Sequence, residues 1–326
     1  MVRVALFGCG WIQDFHARAV QACGGEVVAV ANHREESALA FAERHGIARV
    51  TTDWETLASA PDVDAGVVAT PNALHAPQSI ALLEAGKHVM VEKPMAMTVA
   101  DCEAMDRACR KAGVVLQIGF VRHFCNEWLK LREIIQSGMI GRPVVWRSLS
   151  GGSGAPTPWF FDKEIGGGPF IDGAVHSYDF ARFTFGEATN VVTDIRRLKA
   201  DTTAWDTGTV IVNFASGDQQ ITCWSWGLPG FGYGVKADSA HDVLGTLGSI
   251  MFPGGNQLQV NLADGEHMVE FEADTGTDWF RNQMAHFLHC CRTGEQPVTG
   301  AKEGLEATRI AEAALSVGDR PAIIQL

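Results

Sequence analysis

Tyrosine is scarce in this chain. Only Tyr178 and Tyr233 occur in 326 residues, and neither is followed four residues later by lysine, which disfavours chemistry run by a tyrosine–lysine pair on one helical turn. No apolar run approaches the ~20 residues that a membrane-spanning helix needs. Positive charge is in deficit: 26 lysines and arginines face 38 acidic residues, for a formal net charge of -12. That balance argues against binding nucleic acid phosphates by bulk electrostatics. The eight cysteines contain no Cys-x-x-Cys pair, and several fall on apolar faces of expected helices, so reduced, buried thiols in a cytoplasmic protein are the simplest account. The N-terminus, Met1-Val2-Arg3-Val4-Ala5-Leu6-Phe7, runs straight into a glycine turn and carries no signal-peptide pattern. His286, His289, Cys290 and Cys291 have helical spacing around apolar Phe287 and Leu288, which fits one amphipathic helix and no metal site.

Glycine, by contrast, is abundant, with 35 residues, and 46% of the chain is hydrophobic. A chain of this length is expected to build more than one core, and the change of pattern after Gly119 divides it into domains at 1–120 and 121–326.

The first half alternates strand and helix. Val4-Ala5-Leu6-Phe7 reads as a buried strand, followed by Gly8-Cys9-Gly10-Trp11-Ile12-Gln13. Two glycines permit a tight turn and close approach of a diphosphate to the backbone. A helix starting near Trp11 offers its free N–H groups and positive dipole end to that diphosphate. The third fingerprint position is Gln13 instead of glycine or alanine, a departure expected to weaken helix-on-strand packing. A second strand, Val27-Val28-Ala29-Val30-Ala31, ends in Asn32-His33-Arg34, with no acid until Glu35. Asparagine removes the repulsion an acid would exert on a 2′-phosphate, and Arg34 supplies a partner for one. NADP is therefore the preferred cofactor, with NAD the alternative.

The alternation continues with a helix over 35–45 stopped by Gly46, and a capping box at Thr52-Asp53-Trp54-Glu55. A strand Val67-Val68-Ala69-Thr70 follows, ending in Pro71-Asn72, and then a helix over about 74–85. The next strand, His88-Val89-Met90-Val91, is stopped by Glu92-Lys93-Pro94, because proline cannot donate to a sheet ladder. Lys93 is thus displayed at a strand's carboxyl end, where open α/β sheets bind ligands, placed to orient and polarise a hydroxyl or carbonyl. Thr98 caps a helix to Ala112, and Val114-Val115-Leu116-Gln117-Ile118 is the last strand. These units imply an α/β fold with a Rossmann-like doubly wound parallel sheet.

The second half has one early helix, 126–136, and then strands: 144–147, 191–194, 209–214 and 220–226, with a turn at Ser216-Gly217-Asp218. An α+β domain with a large, mostly antiparallel open sheet is expected. The uncovered face of such a sheet suits a homodimer or homotetramer. Gly166-Gly167-Gly168-Pro169 forms a backbone loop, and Asp172 and His176 follow at i, i+4, on one face of a helix. A histidine there takes a proton from a substrate hydroxyl, while the aspartate holds the substrate or the ring. The flanking glycines are expected to let the backbone approach a ligand, with Trp159, Phe160 and Phe161 nearby in sequence.

Taken together, Gly8-Cys9-Gly10-Trp11-Ile12 with His16, Thr70-Pro71-Asn72-Ala73-Leu74-His75, Glu92-Lys93-Pro94, and Gly166-Gly167-Gly168 through Asp172 and His176 resemble the glucose-fructose oxidoreductase / inositol dehydrogenase / MocA family. Gly245-Thr246-Leu247-Gly248-Ser249 matches a turn common in that family's sheet. The resemblance implies a nicotinamide-dependent oxidoreductase acting on a secondary or anomeric hydroxyl of a sugar, polyol or derivative. It implies that Lys93, Asp172 and His176 are the catalytic trio, the same three residues that the motifs single out. Cofactor contacts are implied at Gly8, Gly10, Trp11, Ile12, Asn32, His33, Arg34, Thr70, Asn72, His75, Glu92 and Lys93, and substrate-rim contacts at Arg122 and Trp159. Two alternatives remain: a glycoside-cleaving enzyme that retains its cofactor and oxidises transiently, and a non-catalytic cofactor sensor. A sensor is expected to lose the lysine or the histidine, and this chain retains both. Substrate identity is expected to rest on loops around 151–161 and 224–233.

Overall fold

Short apolar runs separated by helices, two of which stop at a left-handed glycine, assemble into a parallel sheet. In the computed structural model, which describes residues 1–228, 241–275 and 277–326, the chain contains β1 (Arg3–Phe7), α1 (Trp11–Ala22), β2 (Glu26–Ala31), α2 (Glu35–His45), β3 (Arg49–Thr51), α3 (Trp54–Ala58), β4 (Ala65–Val68), α4 (His75–Glu84), β5 (His88–Val91), α5 (Val99–Ala112) and β6 (Leu116–Ile118). The strands lie in the order β3-β2-β1-β4-β5-β6, and every pairing is parallel. This is the doubly wound arrangement, whose order reverses between β1 and β4, so the loops after these strands open at the switch point. β4 and the last three residues of β5 are fully buried, as expected where helices cover both faces.

Local chemistry sets the helix ends. Gly46 and Gly113 adopt the left-handed conformation after α2 and α5, and the Thr98 hydroxyl accepts the Asp101 N–H at the start of α5. α3 is capped differently from expectation. Asp53, not Thr52, is the N-cap, its carboxylate accepting the Thr56 N–H at 3.0 Å, because Thr51 Oγ1 accepts the Asp53 N–H and fixes the entry one residue later. Strand β3 is too short to show periodicity in the sequence.

Gln13 also departs from expectation. It is fully buried, and its side-chain amide donates to the main-chain oxygens of Val67, at 3.1 Å, and Phe7, at 3.4 Å. The side chain thus ties α1 to β1 and β4 instead of holding the helix off the sheet.

Beyond β6 come α6 (Asn126–Gln136), β7 (Val145–Gly151), α7 (Pro169–Asp172), α8 (Val175–Phe185), β8 (Ala188–Arg196), β9 (Thr207–Phe214), β10 (Gln219–Ser225), β11 (His241–Leu244), β12 (Gly248–Gly254), β13 (Gln257–Leu262) and β14 (Gly265–Glu270). After these, α9 (Asp278–Thr293), α10 (Ala301–Leu315) and β15 (Ala322–Gln325) complete the chain. Residues 1–124 with 275–305 form one unit, and 125–274 with 306–326 a second. α9 thereby belongs to the first unit, where its Met284, Phe287 and Leu288 join the core of Leu6, Val30, Val67 and Met90.

In the second unit nine strands run in the order β14-β13-β12-β11-β7-β10-β9-β8-β15. Only β7 and β10 pair in parallel among the described strands; the rest are antiparallel. The turn at Ser216-Gly217-Asp218 joins β9 to β10, with the Phe214 N–H donating to the Asp218 carbonyl at 3.0 Å. One sheet face carries buried Trp146, Val210, Val212, Val243 and Ile250, and the other carries exposed Leu149, Leu244, Met251 and Ile323. No helix among the described residues is long and apolar enough to cross a membrane.

Replacing Gln13 by alanine removes two buried hydrogen bonds and is expected to cost about 2 kcal/mol. Urea unfolding checks this; an unchanged midpoint and slope would show that the amide contributes nothing to the joint between α1 and the sheet.

Candidate active site

The loops after β1, β4 and β5 meet at the carboxyl edge of the first sheet. Gly8 follows β1 with φ +99°, and a Cβ added there would lie 2.5 Å from the Ala69 carbonyl oxygen. Any side chain at this position therefore collides with the β4 loop and strains the backbone. Gly10 is different: a Cβ added there meets nothing within 4 Å. Gly10 is also the N-cap of α1, and no side chain caps that helix. A space beside Gly10 and an uncapped helix N-terminus are what a diphosphate requires, so the residues present fit a dinucleotide. Cys9 between the glycines stays a thiol, because burial pushes its pKa up to about 12. Trp11 is 71% exposed and stands edge-on to Phe15, with half-buried Ile12 beside it. At the end of β2, the Asn32 amide donates to the Arg34 carbonyl at 3.0 Å, and His33 and Arg34 are exposed.

The β4 and β5 loops are tied by His75. This buried ring faces the Pro94 carbonyl with Nδ1 at 2.7 Å and the Thr70 carbonyl with Nε2 at 2.9 Å. Burial pulls its pKa below the ordinary range, against the opposing pull of the two carbonyls. A neutral ring carries one N–H and donates to one of them. Thr70 in turn donates its hydroxyl to Gln78 Oε1 at 2.8 Å. Gln78 lies three residues after His75, on the same face of α4, and that i, i+3 spacing is the signal in the sequence that could have found it. Asn72 is buried in a short 3-10 turn, Asn72–Leu74.

Glu92 closes β5. Its carboxylate meets His16 Nε2 at 2.7 Å and accepts the Lys93 N–H at 3.2 Å. Burial alone would raise its pKa, but the His16 hydrogen bond and charge, with Lys93, outweigh that and hold it below the usual carboxylate range. An ionised carboxylate accepts, so His16 donates through Nε2–H. The other side of the His16 ring packs edge-on against Phe280 of α9, which stacks on Phe15. Gly119 permits the close fit, since a Cβ there would lie 3.0 Å from the Glu92 carboxyl carbon. Lys93 itself is half-buried, and its peptide bond to Pro94 is cis. Arg122 lies in the 3-10 turn Val121–Phe124.

In the second unit, Asp172 and His176 do not share one uninterrupted helix. Asp172 is the last residue of α7, and His176 the second of α8. The break is a wide turn, in which the Ala174 N–H reaches back five residues to the Pro169 carbonyl at 2.8 Å. It falls at Gly173, where the Trp224 ring leaves no space for a Cβ. Asp172 is buried and His176 half-buried. The upstream glycines serve the chain itself. A Cβ at Gly166 would lie 2.5 Å from the Phe160 Cα, and one at Gly168 would lie 2.6 Å from the Trp205 carbonyl. Trp159 stacks on Phe160 at 3.7 Å. Of the 224–233 stretch, residues from 229 onward lie outside the described residues.

The depressed Glu92 pKa gives a signed prediction. A carboxylate that ionises more readily when folded stabilises the fold above its unfolded value, near 4.3, and loses that contribution as pH falls through its folded value. The stability difference between wild type and Glu92→Gln is therefore expected to be constant above about pH 5 and to shrink below about pH 4. Denaturation midpoints across that range measure it; a difference that does not change with pH would contradict the ionised pairing.

Comparison with known proteins agrees with this architecture. Residues 2–120 match the model of an oxidoreductase family with an NAD-binding Rossmann fold, and residues 128–251 match the GFO/IDH/MocA C-terminal domain. Myo-inositol 2-dehydrogenase of Thermotoga maritima is 28% identical over 326 residues, covering 96% of this chain and 95% of that protein. The 1,5-anhydro-D-fructose reductase of Ensifer adhaerens is 39% identical over 193 residues, 57% of each. The structure of a levoglucosan dehydrogenase in complex with NADH and levoglucosan superposes with a TM-score of 0.87 at 24% identity, over 100% of this chain and 99% of that one, a likeness of fold. With both halves of the chain matched by their own models, this protein belongs to the glucose-fructose oxidoreductase / inositol dehydrogenase / MocA family of oxidoreductases.

Proposed function

We propose that the chain is a nicotinamide-dependent dehydrogenase or reductase of a sugar, polyol or sugar derivative, working at a secondary or anomeric hydroxyl. The observation that carries this reading is Lys93, half-buried at the carboxyl end of β5, in a sheet whose β1 turn fits a dinucleotide. The names of the relatives, an inositol dehydrogenase and an anhydrofructose reductase, support the substrate class.

In this reading the turn at Gly8 brings Gly10, Trp11 and Ile12 to the diphosphate, and Asn32, His33 and Arg34 take the adenosine ribose end. Thr70 and Asn72 line the remainder. A bound nicotinamide supplies the hydride acceptor or donor. The Lys93 ammonium donates to the reacting oxygen and stabilises charge on it. His176 takes the hydroxyl proton, or returns it in reduction, and Asp172 accepts a hydrogen bond from a neighbouring hydroxyl. Arg122 and Trp159 are assigned to the substrate rim. The exposed Arg34 and the lack of an acid at position 32 favour NADP over NAD. The exposed apolar sheet face, with Leu149, Leu244, Met251 and Ile323, supports a homodimer or homotetramer.

Calorimetric titration with NAD and NADP, followed by a panel of sugars and polyols read by nicotinamide absorbance, tests the reading. NADP is expected to bind about tenfold more tightly than NAD, and Arg34→Ala to erase that preference. Lys93→Met and His176→Ala are each expected to lower kcat roughly hundredfold or more, with cofactor affinity kept in His176→Ala. Sugar release without net cofactor turnover would instead identify a glycoside-cleaving enzyme. Failure to bind either dinucleotide would remove the basis of the proposal.

A further inference from the structure

Two buried histidines hold the backbone on either side of Lys93. His16, from α1, binds the Glu92 carboxylate at 2.7 Å, and that carboxylate also accepts the Lys93 N–H. His75, from the first turn of α4, meets the Pro94 carbonyl at 2.7 Å. The residue before Lys93 is thus anchored to one helix and the residue after it to another. His16 has no exposed surface, and His75 has 1%. Neither ring reaches the surface: each nitrogen of His75 faces a main-chain carbonyl, and His16 lies between Glu92 and Phe280 with its Nδ1 buried and without a hydrogen-bond partner.

We infer that His16 and His75 are positioning residues for Lys93, acting through Glu92 and Pro94, and that His75 serves the lysine instead of contacting the cofactor. The inference rests on Lys93 being the lysine of the proposed hydride-transfer site. Its chemistry is geometric. A lysine tip four carbons from the backbone is aimed by the strand end that carries it, and a displacement of about 1 Å at a reacting centre costs up to about a hundredfold in rate. A neutral ring has one proton to give; we place it on Nδ1, the nitrogen nearer its carbonyl at 2.7 Å against 2.9 Å for Nε2, where it bonds Pro94 and holds the loop bearing Lys93.

This assignment distinguishes substitutions that a space-filling role would not. Asparagine places an amide donor near the position of Nδ1, and glutamine places one near Nε2. His75→Asn is therefore expected to turn over at least roughly tenfold faster than His75→Gln, and His16→Gln at least roughly tenfold faster than His16→Leu. In all four variants the loss is expected in kcat, with KM for the polyol changed less than about threefold.

A lysine probe gives a second readout that needs no substrate. The lysines of the purified protein are reductively dimethylated with 13C-formaldehyde and a borane reductant, and the Lys93 methyl resonance is assigned by its loss in Lys93→Arg. The resonance is expected to move in His16→Leu and His75→Gln and to return toward its wild-type position in His16→Gln and His75→Asn. An unmoved Lys93 resonance in His16→Leu and His75→Gln overturns the inference, as does equal activity of His75→Asn and His75→Gln. If the wild-type protein oxidises no sugar or polyol, the functional reading fails on its own, and the methyl resonance still decides whether the two histidines position this lysine.

Discussion

A carboxylate buried at the end of a strand must find partners or lose its charge, and Glu92 finds two. His16 supplies one from the helix after the first strand, and the Lys93 amide supplies the other. Much of the first unit's layout serves that pairing. α1 has to lie close enough to the sheet to deliver His16, and buried Gln13, one turn earlier on that helix, bonds the carbonyls of β1 and β4. α9 returns from far along the chain to place Phe280 against the His16 ring. Gly119 omits a side chain so that the carboxylate can pack against the next strand's exit.

The same edge of the sheet shows why glycine and not merely small residues occupies the β1 turn. Gly8 is held by two constraints at once, a left-handed backbone and the carbonyl of Ala69 at contact distance. Gly10 is held by neither, and its freedom matters only toward something that approaches the backbone from outside. Two glycines two residues apart thus serve different ends, one internal to the fold and one directed at a ligand. The three glycines before Asp172 answer to internal constraints: Gly166 and Gly168 make room for the chain's own backbone, and Gly167 turns with φ +76°.

Much of the fold is legible in the sequence because its signals are local. Four-residue apolar runs, glycine stops and the Thr98 cap are each decided within a few residues, so the parallel sheet and most helices follow directly. The β9–β10 hairpin announces itself through Ser216-Gly217-Asp218. Where local reading failed, the deciding partner was distant or the element too short. Asp53 displaced Thr52 as a cap because Thr51 held it. Gln13 looked like a defect because its partners, Phe7 and Val67, are six and 54 residues away. The helix carrying Asp172 and His176 is interrupted at Gly173, against which Trp224 of the distant β10 packs.

The sequence alone determined the fold class, the family and the chemical types available: a lysine at a strand end, an aspartate and histidine four apart, an asparagine where an acid would select NAD. Those depend on residue identity and spacing along the chain, which a sequence displays in full. Tertiary structure alone decided which groups are spent on holding the protein together. Glu92 and His75 read as equals of Lys93 in their motifs, yet one already accepts from His16 and a backbone amide and the other is enclosed between two carbonyls. Hydrogen-bonding capacity is finite, and only the fold assigns each donor and acceptor to its partner.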